Sequence, residues 1–272
     1  MVRRLVGPGV LLVATALLAT ACGTANSAQS DKTPAAATKS ASAKSTPSAK
    51  PSPTKTEEPF DLGDKKILQG AKGPRVEKLQ RRLEELNYDP GKVDGQYGAA
   101  TLVAVWAFQK VNGIEPTSTI GRKTRDALTD PKEPKVRVPN GAADRVEVML
   151  KKQLLVAYED DEIELISHIS SGSGVEYCEE YTDEVTGESG TSCGVAVTPT
   201  GDYKASRRIP GWRKSKLGLL YNPIYFNGGI AFHGAPSVPL YPASHGCVRI
   251  PMHTANSFPD MVAHNERVYV RN

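Results

Sequence analysis

The residues His233-Gly234, followed by Ser244-His245-Gly246-Cys247-Val248-Arg249, bring two histidines and one cysteine close together in the chain, each beside a glycine. A cysteine attacks only as its thiolate, and a free thiol with a pKa of roughly 8.5 supplies little of that form at neutral pH. A nearby imidazole removes the limitation by taking the proton and remaining as a stabilising cation. Glycines let a substrate backbone come close and leave N–H groups free to face a developing oxyanion. The spacing therefore points to Cys247 as an activated nucleophile. His233 ends an apolar strand-like run, Ile230-Ala-Phe232, and is the first candidate base. His245 is its rival, because residues i and i+2 of an extended segment share a face. The N–H groups of Gly246 and Cys247 are the expected oxyanion donors.

This constellation resembles the L,D-transpeptidase (YkuD-type) family, whose pattern is a His-Gly, a spacer, then Ser/Thr-His-Gly-Cys, a hydrophobic residue and Asn or Arg. Here the spacer is short and Arg249 occupies the last position. The resemblance implies Cys247 as nucleophile and His233 as base. His245 is left a supporting part, with Ser244 shaping the turn and a backbone carbonyl near Gly234 orienting the imidazole. It also implies two-step acyl transfer: the thiolate displaces a terminal D-alanine from a peptidoglycan tetrapeptide stem, and an amine of a second stem resolves the thioester. Arg249 shares a face with Cys247 in an extended chain, so it either grips a stem carboxylate as a bidentate fork or closes an internal salt bridge. Tyr225, Tyr241, Trp212 and Pro236 are expected to line the cleft. His168, His253 and His264 carry no motif. No metal or organic cofactor is expected.

Other readings of the same residues are an L,D-carboxypeptidase, in which water resolves the thioester, and a non-catalytic wall-binding protein. A zinc peptidase using His233, His245 and Cys247 lacks a His-Glu-x-x-His and a carboxylate placed as general base. A papain-like cysteine endopeptidase fits less well, because there the cysteine precedes its histidine in the chain.

A domain of alternating pattern must hold these groups. From Arg145 the period is two: Val146-Glu-Val148-Met-Leu150 and Leu154-Leu-Val156-Ala-Tyr158 read as a hairpin, and Ile163 to Ile169 as a third strand. Ser170 to Gly174 reads as a turn. Thr198-Pro-Thr-Gly201 leads into another strand, and Ile224–Phe226, Ile230–Phe232 and Val268–Val270 complete a mainly β barrel or sandwich over residues 145–272.

Residues 63–130 read as a small three-helix domain. Val76, Leu79, Leu83 and Leu86 share one helical face, a second helix runs from Ala99 to Lys110, and Arg122 to Leu128 makes a third. Asp94-Gly95-Gln96-Tyr97-Gly98, Phe108-Gln109, Gly113-Ile114 and Ile120-Gly121 resemble a peptidoglycan-binding type-1 domain, which implies wall binding. Asp94, Tyr97 and Gln109 are its candidate contacts. The charged, three-proline stretch 131–144 reads as a hinge.

The chain of 272 residues has a net charge of +4 and no long basic run, so nucleic acid is not an expected partner. Arg3 and Arg4 precede a short apolar run, Val10 to Ala19, and Leu18-Ala19-Thr20-Ala21-Cys22 resembles a lipoprotein signal. That implies a signal peptide over 1–21, lipidation of Cys22 and attachment to the outer face of the cell membrane, facing the wall. Residues 22–62 form a disordered tether dominated by Ala, Ser, Thr, Pro and Lys. Of four cysteines, Cys178 and Cys193 remain. In an exported protein they are expected to form a disulfide that staples a surface excursion, with a redox pair or half a metal site as the alternative.

Overall fold

The computed structural model describes residues 60–182 and 186–272. The expected signal peptide, the expected lipidation site at Cys22 and nearly all of the expected tether lie outside the described residues.

The small domain holds a two-stranded ribbon, β1 (Ile67–Leu68) with β2 (Thr119–Ile120), and three helices: α1 (Pro74–Glu85), α2 (Ala99–Val111) and α3 (Arg122–Thr129). Proline starts α1, where its missing N–H costs nothing. Val76, Leu79 and Leu83 are buried at helical spacing, with Gln80 buried among them. The Gln80 amide donates to Gln96 O and Thr101 Oγ1, and its carbonyl accepts from Gly95 N at 2.8 Å, so it fixes the 94–96 turn from inside. Two of the three candidate wall contacts lie inside the domain, while Asp94 stays exposed. Tyr97 and Gln109 are fully buried, and Asp94 caps its own turn by accepting from Gln96 N.

The second domain is a sandwich of two sheets. One has the order β5–β4–β3–β13–β8, built from β3 (Arg145–Met149), β4 (Leu154–Glu159), β5 (Glu162–His168), β8 (Gly201–Lys204) and β13 (Arg267–Arg271). The other has the order β12–β11–β10–β9, built from β9 (Trp212–Ser215), β10 (Gly218–Asn227), β11 (Ile230–Ala235) and β12 (Val248–Pro251). A helix that the sequence reading missed, α4 (Thr254–Met261), packs on the second sheet. Strands β6 (Glu176–Thr182) and β7 (Ser189–Val195) form a separate hairpin. Cys178 and Cys193 face each other in it and are bonded, S–S 2.01 Å.

Strand β4 is buried along both faces. Leu155 and Ala157 point into the sandwich core with Val146, Phe232, Val248 and Val270. Leu154, Val156 and Tyr158 point the other way, into one core shared with Leu79, Leu83, Val105 and Phe108 of the small domain. The two domains are therefore packed through a continuous apolar layer. The stretch 131–144 is tied down rather than hinged. Arg137 N and Val138 N donate to the buried Glu147 carboxylate, which also takes Arg145 Nε at 3.0 Å, and Ala142 N donates to Tyr269 Oη.

Candidate active site

Strands β11 and β12 run parallel, with Phe232 opposite Val248 and His233 opposite Arg249. Alternation then sorts the residues. Phe232, Val248 and Ile250 enter the sandwich core. His233, Cys247 and Arg249 line a cleft of about 840 Å³ on the other face, together with Ser244, His245, Tyr225 and Pro236. Ala231, Leu220 and Tyr225 form a small apolar floor that Cys247 packs against.

His233 is buried, and its Nδ1 lies 2.9 Å from the carbonyl of Gly234. That nitrogen faces an acceptor, so it carries the proton and leaves Nε2 with the free lone pair. Burial pushes the imidazole pKa down to about 4; the Gly234 hydrogen bond opposes this and the Arg249 charge adds to it. Cys247 is the one free cysteine among the described residues. Burial raises its pKa, against opposing effects of a backbone hydrogen bond with Ala231 and the charge of Arg249. The thiol lies 3.8 Å from Gly229 O, in the β10–β11 turn, and donates to it. The resting pair is therefore a neutral thiol and a neutral imidazole.

The loop before Cys247 is held from outside the motif. Ser170 and Arg249 exchange backbone hydrogen bonds of 3.0 and 2.9 Å, and Ser171 O accepts from both Ala243 N and Ser244 N. Ser170 Oγ donates to Tyr241 O, and Thr198 Oγ1 donates to Gly246 O at 2.6 Å. The stretch expected as a turn after β5 is thus an extended clamp. Ser244 Oγ donates to Cys247 O and accepts from Gly246 N at 3.0 Å. Gly246 N–H is committed to that bond, so it does not stand free as an oxyanion donor.

The two motif glycines answer to packing rather than to a substrate backbone. Gly246 has φ +135°, and a Cβ there would meet Val197 O at 2.9 Å. A Cβ on Gly234 would lie 2.8 Å from Ala255 Cβ of α4. Only glycine lets α4 and the 197 segment close on the motif.

His245 turns away from the thiol toward the stapled hairpin. Its Nε2 lies 2.8 Å from a carboxylate oxygen of Glu179, and its ring stands edge-on to Tyr177. Tyr241 is 66% exposed and does not line the cleft, and Trp212 is also outside it, packed on Tyr221. Tyr225 does line it, with the Arg207 guanidinium 4.1 Å above its ring. Arg249 has no ion pair among the described residues. Arg207 and Arg213 join it on the wall, and among the described residues no carboxylate lines the cleft. Sequence reasoning missed these two arginines, because they lie on a loop and strand far from the motif. The hairpin residues Tyr177, Thr182 and Ser192 close one side of the cleft.

Residues 72–128 match the family of peptidoglycan binding domains, and residues 143–270 match the L,D-transpeptidase catalytic domain. The crystal structure of the L,D-transpeptidase from Xylanimonas cellulosilytica is 38% identical, over 75% of this chain and 97% of that one, with a TM-score of 0.66. The spore cortex-lytic enzyme of Oceanobacillus iheyensis is 39% identical over 69 residues, and that of Bacillus subtilis 43% identical over 63. These matches span 25% and 21% of those two proteins, so the chain covers about a quarter of their length or less.

Proposed function

The chain belongs to the L,D-transpeptidase family, and from that premise we propose that it cross-links peptidoglycan stem peptides by acyl transfer through Cys247. The observation that carries this reading is one cleft lined by both the thiol and an imidazole whose Nδ1 is held by Gly234 O, which leaves the Nε2 lone pair free to act as a base. His233 Nε2 takes the thiol proton as Sγ attacks the carbonyl carbon before the terminal D-alanine. The C–S bond forms, the C–N bond breaks, and the departing amine leaves with the proton from His233. An amine of a second stem then attacks the thioester and the thiol is regenerated. The Cys247 N–H is the donor we assign to the oxyanion.

Arg249, Arg207 and Arg213 suit a substrate rich in carboxylates, and each fork can hold one bidentately. The stapled hairpin over the cleft favours an amine acceptor over water by excluding solvent. The small domain supports wall binding, and the sequence of residues 1–22 supports export and lipid anchoring at Cys22.

The test is mass spectrometry of products from the soluble chain mixed with disaccharide-tetrapeptide, beside Cys247→Ala. Dimers lacking one D-alanine, absent in the variant, are expected. Tripeptide monomers alone would make the protein a carboxypeptidase. Dimers formed equally by Cys247→Ala would overturn the mechanism.

A further inference from the structure

One half-buried lysine and one buried histidine meet at the seam between the two domains. Lys110, near the end of α2, places Nζ 2.7 Å from His168 Nδ1 and 3.1 Å from Gln153 O. His168 ends β5, is 1% exposed, and stands edge-on to Trp106. Its Nε2 lies 3.1 Å from both Val238 O and Pro239 O. Nδ1 also lies 3.2 Å from Gln153 O, but two carbonyls face Nε2 and the Lys110 Nζ stands nearer to Nδ1, which places the ring proton on Nε2. Nδ1 then presents a lone pair, and the N–H pointed at it comes from Lys110. The lysine of one domain thereby selects the tautomer with which His168 holds a loop of the other. Burial pushes Lys110 down to about 7 and His168 to about 4, so the ring stays neutral, and either form of the amine donates.

That loop joins β11 to β12. Pro236 and Ser237 at its start and Ser244, His245 and Cys247 at its end all line the cleft. A second branch leaves from Gln153. Its side chain accepts from Ser171 N and donates to Ser171 Oγ, each at 2.8 Å, and Ser171 O holds Ala243 N and Ser244 N at 2.9 Å. One lysine thus reaches both ends of the loop that carries the thiol.

We propose that Lys110 and His168 are positioning residues through which the small domain holds the Cys247 loop in its reactive geometry, so that this domain contributes to turnover itself and not only to wall attachment. The inference rests on the acyl-transfer reading above.

The test is D-alanine release from a soluble disaccharide-tetrapeptide by the full chain and four variants. Misplacing a reacting atom by about 1 Å costs up to about a hundredfold in rate. Lys110→Met and His168→Phe are each expected to lower kcat about tenfold or more with KM little changed. His168→Gln is expected to keep most of the rate, since its amide donates to Val238 O and Pro239 O without a tautomer to select. In the fourth variant, Lys110→Met added to His168→Gln, the lysine change is expected to cost little more. Sedimentation with isolated wall sacculi is expected to be unchanged throughout. A normal kcat in Lys110→Met, or equal losses in His168→Phe and His168→Gln, would overturn the proposal. If Lys110→Met does not fold, the Phe and Gln variants decide it. Turnover surviving in Cys247→Ala would sink the acyl-transfer reading instead, which keeps the two failures apart.

Discussion

Arg249 stands opposite His233 across the parallel β11–β12 pair, on the same cleft wall as Cys247. Burial keeps His233 neutral down to about 4 and keeps Cys247 protonated, and the Arg249 charge lowers both pKa values. A base that titrates so low is available throughout the neutral range. Acylation by a stem peptide is therefore expected to stay level down to about pH 5, with no loss near the ordinary histidine value of about 6.5. Alkylation by iodoacetamide needs preformed thiolate, so it should keep climbing above pH 9 or so. In Arg249→Met both pKa values should rise, which moves the acid limb of acylation upward. An acid limb at about 6.5 in the unaltered protein would contradict the neutral resting pair.

The motif was legible because a nucleophile, its base and their glycines lie close in sequence, and alternation along two neighbouring strands carries them to one face. The long-range parts were not. Ser170 and Ser171 clamp the loop largely through backbone carbonyls and N–H groups, which any residue type offers, and Thr198 does so through a hydroxyl 48 residues away from its acceptor. Glu179 reaches His245 from a hairpin whose polar sequence gives no periodic signal. Gly246 and Gly234 were read as substrate approaches, but it is Val197 O and Ala255 that require them. The docking of the two domains did leave a trace. Leu154 to Tyr158 is apolar without alternation, as strands buried on both faces are. Read as half of a two-sided hairpin, that run concealed the helical layer behind it. Helix α4 was hidden by Pro259 within its own span.

Cleft charge gives a prediction about substrate. A charge-assisted hydrogen bond contributes about 1.5–3 kcal/mol when both partners are present. Arg207→Gln and Arg213→Gln should each raise KM for a stem bearing free carboxylates about tenfold or more, with kcat nearly unchanged. Stems with those carboxylates amidated should bind the unaltered protein more weakly, and the variants should no longer tell the two apart. Equal KM for acid and amide stems in the unaltered protein would remove the carboxylate role.

The buried pair of Arg145 and Glu147 should decide the stability of the linker region. Glu147 is 0% exposed and Arg145 3%, with a 3.0 Å contact between them. Removing one partner of such a pair leaves the other charge buried and costs about 3–5 kcal/mol. Glu147→Ala also strips Arg137 N and Val138 N of their acceptor. Urea unfolding should show a loss in that range. A loss below about 1 kcal/mol would mean that the linker and Arg145 find other partners.

Acid should unfold the protein through its two neutral histidines. His168 and His233 are held at about 4 in the fold, against 6.5 for the free side chain. Between those values the unfolded chain binds protons that the native state refuses, so stability rises with pH across that window and falls on acidification. Glu266 acts in the opposite sense. Burial raises it to about 6 from 4.5, so the native state binds its proton first and part of the slope is offset below about 6. The fall is therefore expected to be spread nearly evenly between about pH 6.5 and 4.5, with a slope near one proton rather than two. His168→Gln removes one of the two refused protons and should flatten the dependence by about one proton. A Tm that does not change between pH 6.5 and 4.5 would show that the two imidazoles do not both resist protonation in the fold, since Glu266 offsets only one of them.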